Sequence, residues 1–449
     1  MTHISSKRAS FPDEVIEIIK TLKSHGFLGY IVGGAVRDLI RDLHVSDWDF
    51  ATDATPDKLL RIFPKVIPTG IRHGTVTVVG GTSQYELTTF RTDGDYASQH
   101  SLARSCITRN IEEDLKHRDF TINAMAYDPL TDTLLDPFGG HRDLRGRIIR
   151  GVEDPLSRFM EDGLRTYRAV RFSAALEYRI ESKTLKAISL ALGRVKGVSQ
   201  ERVREEILKI LAAKQPSKAF EMMRRTGLLS IGLPELLEGY RRKHGLGGDI
   251  YHHILSTVDA APRRPMLRLA CLFHDIGKPR ARQRTKAGYV FDGYERISAQ
   301  MTDAVALRLK LSKNQRKYLS QLVENHGLAF QTTVRGPDLR RFLTRIDDRW
   351  LNDFFALSLA DLKVSGAHQS KINRLYTLRR KCRNILKAGT PLTASQLAIK
   401  GDTVREILGI TEGVQVGRIM TKVLDMVLQD PRKNNPQELA RLVREIGQS

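Results

Sequence analysis

Residues 30–52, which read YIVGGAVRDLIRDLHVSDWDFAT, constrain the fold of this chain more than any other stretch. A short apolar run ends at Gly33-Gly34, and this pair permits a tight turn that a side chain would block. The residues from Ala35 to Asp42 predict a helix, and the first N–H groups of a helix can bind phosphate. A strand, a glycine turn and a helix start therefore predict a phosphate-binding segment.

Charged side chains accompany this turn. Arg37 lies one turn into the predicted helix, where its fork of donors can clamp a triphosphate, and Asp38 can orient that fork or the local backbone. Asp47 and Asp49 are two positions apart, so in a strand both carboxylates project from one face and can converge on the same metal ions. The combination predicts Mg²⁺-assisted phosphoryl or nucleotidyl transfer, although a DxD pair alone is more often an ordinary surface turn.

GGAVRD at residues 33–38, followed by DWDFAT at 47–52, closely resembles the head motif of the class II nucleotidyltransferases. This family comprises tRNA nucleotidyltransferases (CCA-adding enzymes) and bacterial poly(A) polymerases. The resemblance implies an α+β fold, in which a polymerase-β-like head with a mixed sheet precedes an all-helical neck, body and tail. It also implies that Asp47 and Asp49 are the catalytic residues that hold the metal. The nucleotide contacts implied in this segment are Gly33, Gly34 and Arg37.

Residues 117–124, HRDFTINA, match the family's second motif, except that His117 stands where the family has an arginine. The resemblance assigns Arg118 to the triphosphate or another part of the nucleotide, Asp119 to a ribose hydroxyl and Asn123 to the support of the ribose. An aspartate that accepts from a 2′-OH is a chemically reasonable way to prefer ribonucleotides. On spacing alone, Arg118 and Asp119 would be an ordinary exposed charge pair.

Residues 161–172, EDGLRTYRAVRF, predict a helix on which Asp162 and Arg165 are neighbours, with Arg168 and Arg171 continuing the stripe. An Asp that accepts from an exocyclic amine and an Arg that donates to the adjacent ring nitrogen would admit cytosine and adenine. Uracil and guanine would leave buried polar groups unpaired. The resemblance assigns this role to the family's EDxxR motif, and Arg168 and Arg171 would hold the rest of the nucleotide or the primer. The plain alternative is an i,i+3 ion pair worth about 0.2–0.5 kcal/mol.

Residues 198–211 predict a capped helix with Ser199 as its N-cap and a basic face that contains Arg202, Arg204 and Lys209. This segment resembles the family's neck motif, which supports the nucleotide-binding helix and touches RNA. Beyond it, the chain is predicted to be mostly helical.

A β-hairpin is predicted over residues 74–80 and 84–90, and it carries Glu86, which can serve as a third carboxylate near the metals. An exposed strand glutamate is an equally good interpretation of Glu86. The polar residues 93–110 predict a mobile loop within the head.

The charge balance indicates a polyanionic partner. The formal net charge is +22, from 73 Lys+Arg against 51 Asp+Glu, which favours nucleic acid and predicts binding that weakens with salt. No run approaches the ~18 apolar residues that a membrane span needs, and the polar start is unlike a signal peptide, so we expect a cytoplasmic protein with no membrane partner. Neither a disulfide framework nor a cysteine zinc site is expected from three widely spaced cysteines. They are Cys106, Cys271 and Cys382.

The helical remainder contains residues in an order that resembles an HD-type metal phosphohydrolase. They are His253, His274-Asp275, His326 and Asp361. Tyr294 stands where that pattern would have a histidine ligand, which favours a structural, hydrogen-bonded His274-Asp275 pair over a metal site.

Four domains are predicted. They are a nucleotidyltransferase head at 1–150, a helical neck with nucleotide-base and RNA-binding motifs at 151–240, a helical HD-like body at 241–370 and a helical tRNA-binding tail at 371–449.

The resemblance implies template-independent addition of C, C and A from CTP and ATP to the 3′ end of tRNA, with Mg²⁺ as cofactor and release of pyrophosphate. Addition of only CC or only A is an alternative, and so is a poly(A) polymerase, although GIRHGTVTVV at residues 70–79 looks like the CCA type. A metal phosphohydrolase centred on His274-Asp275 is the alternative from a different class.

Overall fold

The computed structural model describes residues 11–71, 74–81, 83–91, 108–243, 248–286, 288–331, 335–411 and 413–448. Residues 93–107 of the predicted loop lie outside the described residues. The chain divides into two compact units, which are described separately: the first contains residues up to 210 together with 221–232, and the second contains 211–220 together with 233 onward. Among the described residues, no helix is long and apolar enough to cross a membrane. The four-domain division stays a prediction.

A seven-stranded mixed sheet formed by described residues lies at the centre of the first unit. In chain order its strands are β1 (Gly29–Val32), β2 (Asp49–Thr52), β3 (Val66–Gly70), β4 (Thr75–Gly80), β5 (Ser83–Thr89), β6 (Ala126–Asp128) and β7 (Thr133–Leu135). Their spatial order is β3-β4-β5-β2-β1-β6-β7, in which β2 and β5 run parallel and the other neighbours antiparallel. The mixed-sheet head and the predicted hairpin, β4 and β5, are confirmed.

The register of strand β2 positions the acidic residues. Asp49 pairs with Val32 on β1 and with Glu86 on β5. Because directly paired residues point to the same side of a sheet, the carboxylates of Asp49 and Glu86 share one face. Phe50, the next residue, points to the opposite face, where it is fully buried and meets the ring of Tyr85 edge-on. The alternation of the strand thus keeps the apolar core on one side and the acidic groups on the other.

Helices cover the sheet and continue the chain beyond it. Up to residue 232 they are α1 (Asp13–Ser24), α2 (Gly34–Ile40), α3 (Pro56–Ile62), α4 (Ile111–Lys116), α5 (Gly140–Arg145), α6 (Pro155–Glu161), α7 (Leu164–Leu176), α8 (Ser182–Leu190), α9 (Leu192–Val195), α10 (Gln200–Leu211), α11 (Pro216–Thr226) and α12 (Leu228–Gly232). Two short strands, β8 (Ile148–Ile149) and β9 (Arg179–Ile180), pair in parallel.

The prediction of one continuous helix over residues 161–172 is wrong. Helix α6 ends at Glu161 and α7 begins at Leu164, so the chain breaks at Asp162-Gly163. Asp162 is extended (φ −140°, ψ 104°), and its Oδ1 accepts a hydrogen bond from the Leu164 N–H at 3.1 Å. Aspartate competes in this way with the hydrogen bonds of a helix. A side chain at Gly163 would lie 2.9 Å from the backbone of Val195, so the break also lets two segments approach closely.

The second unit is built mainly from helices. Its remaining helices are α13 (Ile250–Ala260), α14 (Pro265–Phe273), α15 (Lys278–Ala281), α16 (Tyr294–Arg308), α17 (Lys313–Asn325), α18 (Leu328–Gln331), α19 (Gly336–Arg345), α20 (Leu351–Val364), α21 (Gln369–Lys387), α22 (Gly401–Leu408), α23 (Gly413–Gln429) and α24 (Pro436–Gly447). One apolar cluster includes Phe342, Phe354 and Phe355, and a second includes Val404 and Val423.

The expectation of an all-helical body needs one correction. Strands β10 (Gln283–Thr285) and β11 (Gly288–Val290) form a small antiparallel hairpin. Thr285, Tyr289 and Val290 favour strands, and Gly288 adopts a φ of +131°, which a residue with a side chain rarely accepts.

Replacement of Gly140 by alanine should destabilise the first unit. A Cβ at this position would lie 2.2 Å from the carbonyl oxygen of Thr121, and backbone cannot move aside as a flexible side chain can. We expect a loss of about 1–3 kcal/mol, seen as a lower midpoint of thermal unfolding. Gly193→Ala is the matched control, since it lies in helix α9 with nothing within 4 Å. Equal midpoints for the two variants would contradict the expectation.

Candidate active site

Three carboxylates lie close together on one face of the head sheet, where strand β2 begins. Asp49 begins strand β2, Glu86 faces it from β5, and Asp47 lies in the irregular segment just before β2. The prediction that both acids of the DxD lie in one strand is therefore wrong for Asp47. Burial raises the pKa of Asp49; Arg118 opposes this rise, the negative charges of Glu86 and Asp47 add to it, and Arg37 opposes it further.

This carboxylate group fits a divalent metal ion. A carboxylate whose pKa is raised by burial and by neighbouring negative charges is stabilised by a nearby cation, and carboxylate oxygens are the ligands that Mg²⁺ prefers. Asp49, Asp47 and Glu86 supply such oxygens, and Glu86 is exposed rather than buried in the core.

The glycine turn lies directly against this acidic group. Gly33 has a φ of +68°, which favours glycine, and a Cβ there would lie 3.0 Å from Nη1 of Arg118 and 3.5 Å from Oδ2 of Asp49. The backbone conformation favours glycine at this position, and a Cβ there would press on the guanidinium of Arg118. Gly34 follows as the first residue of helix α2. The predicted residues Gly33, Asp49 and Arg118 are therefore brought together.

Arg37 joins the two sequence motifs of the head. Its Nε and Nη2 donate to the carboxylate of Asp38 at 3.0 and 2.9 Å, and its Nη1 donates to Oδ1 of Asn123 at 3.0 Å. Asn123 in turn donates through Nδ2 to Oδ1 of Asp119 at 3.0 Å. The predicted orientation of Arg37 by Asp38 is confirmed.

Asp119 is the buried acceptor at the centre of this network. Its Oδ1 accepts from the N–H of Phe120 at 2.8 Å and from Asn123, and its Oδ2 accepts from Nε and Nη2 of Arg168, both at 2.6 Å. Burial alone would raise the pKa of Asp119, but the charge of Arg168 and the hydrogen bonds from Asn123 and Arg168 lower it. The carboxylate is thus ionised and holds Arg168. This contact was not predicted from the sequence, and the assigned ribose contact of Asp119 stays a prediction.

One aromatic ring lies among three arginines of the site. The guanidinium carbons of Arg37, Arg168 and Arg171 lie 5.5, 5.4 and 3.9 Å from the ring centroid of Phe172. Nε of Arg171 also donates to Oε2 of Glu206 at 2.6 Å. Phe172 and Glu206 were not singled out from the sequence. The i,i+4 spacing of Arg168 and Phe172 on a helix could have predicted the contact between the guanidinium and the ring.

Asp162 and Arg165, the predicted base readers, have different partners. Arg165 donates through Nη1 to Oε2 of Glu161 at 2.7 Å and through Nη2 to the carbonyl oxygen of His117 at 2.8 Å. The carboxylate of Asp162 accepts from Nη1 and Nη2 of Arg202 at 3.2 and 2.6 Å. The backbone N–H of Arg165 donates to the carbonyl oxygen of Asp162 at 3.0 Å, so the two residues stay close, while each side chain is bound by other groups.

Two family models match separate parts of the chain. A family model described as the Poly A polymerase head domain matches residues 29–150, and one described as the probable RNA and SrmB- binding site of polymerase A matches 177–239. The CCA-adding enzyme of Lactobacillus helveticus is 44% identical over 51% of this chain, an alignment that spans 59% of that protein. The CCA-adding enzyme of Lactobacillus delbrueckii subsp. bulgaricus is 42% identical over 96% of this chain and 97% of its own length. The chain belongs to the CCA-adding enzyme family.

A solved structure of this family agrees with the fold. The Bacillus stearothermophilus CCA-adding enzyme in complex with CTP has a TM-score of 0.71, with 28% identity over 97% of each chain. The resemblance drawn from GGAVRD and DWDFAT is thereby confirmed.

The body of this CCA-adding family member contains a buried cluster of histidines and carboxylates. Possible ligand atoms of His253, His274 and Asp361 all lie within 4.8 Å of one another. Nε2 of His253 lies 3.1 Å from Oδ1 of Asp361 and 3.4 Å from Oδ2 of Asp275. Imidazole and carboxylate in this arrangement are ligands that first-row transition metals take.

His274 is prepared as a neutral ligand. Its Nδ1 donates to the carbonyl oxygen of Cys271 at 2.7 Å, which leaves the lone pair of Nε2 toward the cluster, 3.4 Å from Oδ2 of Asp275. Burial lowers the pKa of His274 to about 4, although Asp275 and Asp361 act in the opposite direction. The ring is thus neutral near pH 7, and its contact with a carbonyl oxygen is typical of metal-binding histidines.

The remaining members of the HD-like pattern border this cluster. The hydroxyl group of Tyr294 lies 3.0 Å from Nε2 of His326, and Nζ of Lys278 lies 2.5 Å from Oδ2 of Asp275. All the residues predicted to follow the HD order are therefore brought together, with Tyr294 beside them. The hydrogen-bonded His274-Asp275 pair predicted from the sequence and a metal site would use the same residues.

Replacement of Gly33 by alanine should disrupt the active site without unfolding the head. The added Cβ would displace Arg118 or Asp49, and a misplacement of about 1 Å can cost a reaction about 100-fold. We expect that loss in the incorporation of labelled CTP into tRNA. Gly26→Ala is the matched control, since its φ of +78° imposes similar backbone strain with nothing within 4 Å. Equal activity of the two variants would show that the contact at Gly33 is unimportant.

Proposed function

We propose that this protein is a template-independent tRNA nucleotidyltransferase that adds C, C and A to the 3′ end of tRNA from CTP and ATP, with release of pyrophosphate. The observation that carries the proposal is the meeting of Asp49, Asp47 and Glu86 with Arg37 and Arg118 at the glycine turn. Alignment with a CCA-adding enzyme over 96% of the chain supports the same conclusion. A cytoplasmic location and the predicted head, neck, body and tail belong to this proposal.

Asp47 and Asp49 would hold Mg²⁺, with Glu86 beside them. Bound Mg²⁺ lowers the pKa of an attacking hydroxyl and stabilises the leaving oxygen. The protein's own part is to position the triphosphate. Arg118 lies against Gly33, and Arg37 is oriented by Asp38 and Asn123, so two guanidinium groups face the segment in which the α-phosphate of the nucleotide must meet the RNA 3′-OH.

Asp162 and Arg165 would select the base. Three acceptors fix Arg165: the carboxylate of Glu161 and the carbonyl oxygens of Arg158 and His117. A guanidinium held in this way can donate to a ring nitrogen, while Asp162 accepts from the neighbouring amine. Cytosine and adenine satisfy both groups, whereas uracil and guanine leave them unpaired at a cost of about 1–3 kcal/mol for each group.

Replacement of Asp49 by alanine should abolish nucleotide addition and leave tRNA binding intact. The carboxylate is a proposed metal ligand, and we expect incorporation to fall by about 1,000-fold or more. Asp57→Ala is the control, because Asp57 is exposed on helix α3 of the same unit. Incorporation into tRNAs that end before CCA, after C and after CC would be measured together with tRNA affinity.

The same assay separates the related activities. Addition of C, C and A followed by a stop would support the proposal. A long A tail, a stop after CC, or addition of A only to tRNA ending in CC would identify a poly(A) polymerase, a CC-adding enzyme or an A-adding enzyme respectively. Substantial turnover by Asp49→Ala would contradict the catalytic assignment.

A second candidate function is metal-dependent phosphodiester hydrolysis in the body. It is favoured by the close approach of possible ligand atoms of His253, His274 and Asp361, which lie within 4.8 Å of one another. Neutral His274 also directs the lone pair of its Nε2 toward this cluster. Asp275 would complete the group, since its Oδ2 lies 3.4 Å from both histidines.

The full-length protein should retain Mn²⁺, Ni²⁺ or Zn²⁺ after gel filtration if the body holds a metal. We expect Asp361→Ala to lose this metal and a variant with both Asp47 and Asp49 replaced to keep it, as measured by elemental analysis. Phosphodiesterase activity that persists in the latter variant but disappears in Asp275→Ala would support hydrolysis. Absence of metal from every preparation would favour the structural interpretation of the cluster.

A further inference from the structure

Arg118, one of the two arginines at the glycine turn, is held by a carboxylate from helix α4. Its Nε and Nη2 donate to Oδ2 of Asp114 at 3.4 and 3.2 Å. Contacts from two nitrogens on one edge of a guanidinium fix the direction in which the rest of that planar group faces. The remaining nitrogen, Nη1, lies beside the glycine turn, because a Cβ at Gly33 would be 3.0 Å from it. Asp114 therefore directs Nη1 of Arg118 toward the turn.

Asp114 is a buried carboxylate, and burial ties it to its donors. It lies on the inward face of α4 with Ile111 and Leu115, and its side chain is only 7% exposed, against 23% for Arg118. Its Oδ1 accepts from the backbone N–H of Arg91 at 3.2 Å, and its Oδ2 accepts both hydrogen bonds from Arg118. A buried charge is costly unless it is paired, so this position requires a cation such as Arg118.

The two arginines at the turn differ in the donors that they leave open. All three nitrogens of the Arg37 guanidinium donate within the protein, to Asp38 and to Asn123. Within the described part of the chain, Nη1 of Arg118 has no hydrogen-bond partner. This nitrogen carries two N–H donors beside the turn that is proposed to bind the triphosphate. A phosphate group at the turn can therefore accept from Arg118 without displacing another contact.

Asp49, the proposed metal ligand, competes for the same donors. Its Oδ2 would lie 3.5 Å from the Cβ at Gly33 that approaches Nη1 of Arg118. Of the residues that the structure describes, however, the carboxylate within ion-pair distance of Arg118 is that of Asp114, at 3.2 Å. A buried carboxylate on the other edge of the guanidinium thus keeps Arg118 from turning toward Asp49, where it would occupy oxygens that are proposed to hold Mg²⁺.

We infer that Asp114 is a positioning residue for the triphosphate: it holds one edge of Arg118 so that Nη1 faces a phosphate of the bound nucleotide instead of Asp49. This inference rests on the proposed function and extends it to a residue of helix α4. Asp38 has the corresponding relation to Arg37, although its side chain is more exposed, at 26%. Asp114 acts only through Arg118 and makes no contact of its own with the nucleotide.

Asp114→Asn tests the inference, because it keeps an oxygen for the Arg91 N–H and removes the charge that holds Arg118. We expect the affinity for CTP to fall by about 10-fold, the loss expected for one hydrogen bond to a charged group. The measurement is an equilibrium titration in EDTA, so that no metal ion takes part. The affinity for cytidine, which has no phosphate, should stay unchanged. A purely structural role of Asp114 would weaken CTP and cytidine alike, and that result would overturn the inference.

Glu112→Gln is the matched control on the same helix. Glu112 and Asp114 both lie in the first turn of α4, so either replacement removes one negative charge from the same helix end. Glu112 is exposed, and its replacement should leave the affinity for CTP unchanged. Equal losses in the two variants would assign the effect to the general loss of negative charge and would contradict a specific role of Asp114.

A double-mutant cycle tests whether Asp114 acts through Arg118. Arg118→Gln and Asp114→Asn are compared with the variant that carries both changes. If Asp114 serves only to hold Arg118, its replacement adds no further loss of CTP affinity to Arg118→Gln. Fully additive losses would show that Asp114 acts by another route.

Arg118→Lys keeps the inference testable if Asp114→Asn does not fold, because lysine still supplies a cation to the buried carboxylate. A lysine ammonium is a point charge and lacks the second edge that a guanidinium presents to phosphate. We therefore expect Arg118→Lys to lose about as much CTP affinity as Arg118→Gln, in the same titration. Full affinity for CTP in Arg118→Lys would overturn the inference, since charge alone would then suffice.

Failure of the inference is distinguishable from failure of the proposed function. If the unmodified protein incorporates CTP into tRNA and Arg118→Gln weakens CTP binding while Asp114→Asn does not, only the inference is wrong. If Arg118→Gln also keeps its affinity for CTP, the assignment of Arg118 to the triphosphate is wrong. If the unmodified protein incorporates no nucleotide into tRNA, the proposed function itself is wrong.

Discussion

The buried carboxylate of Asp119 is the constraint on which the arrangement of the head depends. Almost no part of Asp119 is exposed, and its charge is stable there because four donors surround it. Those donors come from different parts of the sequence: its own neighbour Phe120, Asn123 and the distant Arg168. Through Asn123 the network continues to Arg37 on the helix after the glycine turn. The ionised carboxylate of Asp119 thus connects three sequence motifs, those that contain Arg37, Asn123 and Arg168.

The negative and positive side chains of the head are arranged in a way that suits the proposed metal-dependent nucleotidyl transfer. The carboxylates of Asp49, Asp47 and Glu86 gather on one face of the sheet, where burial and mutual repulsion raise the pKa of Asp49. Arg118 and Arg37 lie near them, but both are already bound to other carboxylates, Arg118 to Asp114 and Arg37 to Asp38. The acidic group is therefore only partly neutralised by the protein, and an added divalent cation would complete the balance.

Much of the head could be predicted from its sequence because its determinants are local. The glycine pair between an apolar strand and a helix predicts β1 and α2. The alternation of apolar and polar residues on both sides of a two-residue turn predicts the β4–β5 hairpin. The partners of charged side chains could not be predicted, because they depend on contacts between distant segments. Asp119 with Arg168 and Asp162 with Arg202 are 49 and 40 residues apart. The body cluster could be predicted only in part. The order of its histidines was evident from the sequence, but their close approach to Asp361 was not.

The break at Asp162-Gly163 shows why the wrong helix prediction matters for function. On a continuous helix, Asp162 and Arg165 would be neighbours and would satisfy each other, which leaves neither free to contact a base. The extended conformation of Asp162 instead gives each residue its own partners, Arg202 for the carboxylate and Glu161 with two carbonyl oxygens for the guanidinium. An acceptor and a donor can then lie side by side without neutralising each other, as recognition of an amine next to a ring nitrogen requires. The glycine after Asp162 allows this, because any side chain there would collide with the backbone of Val195.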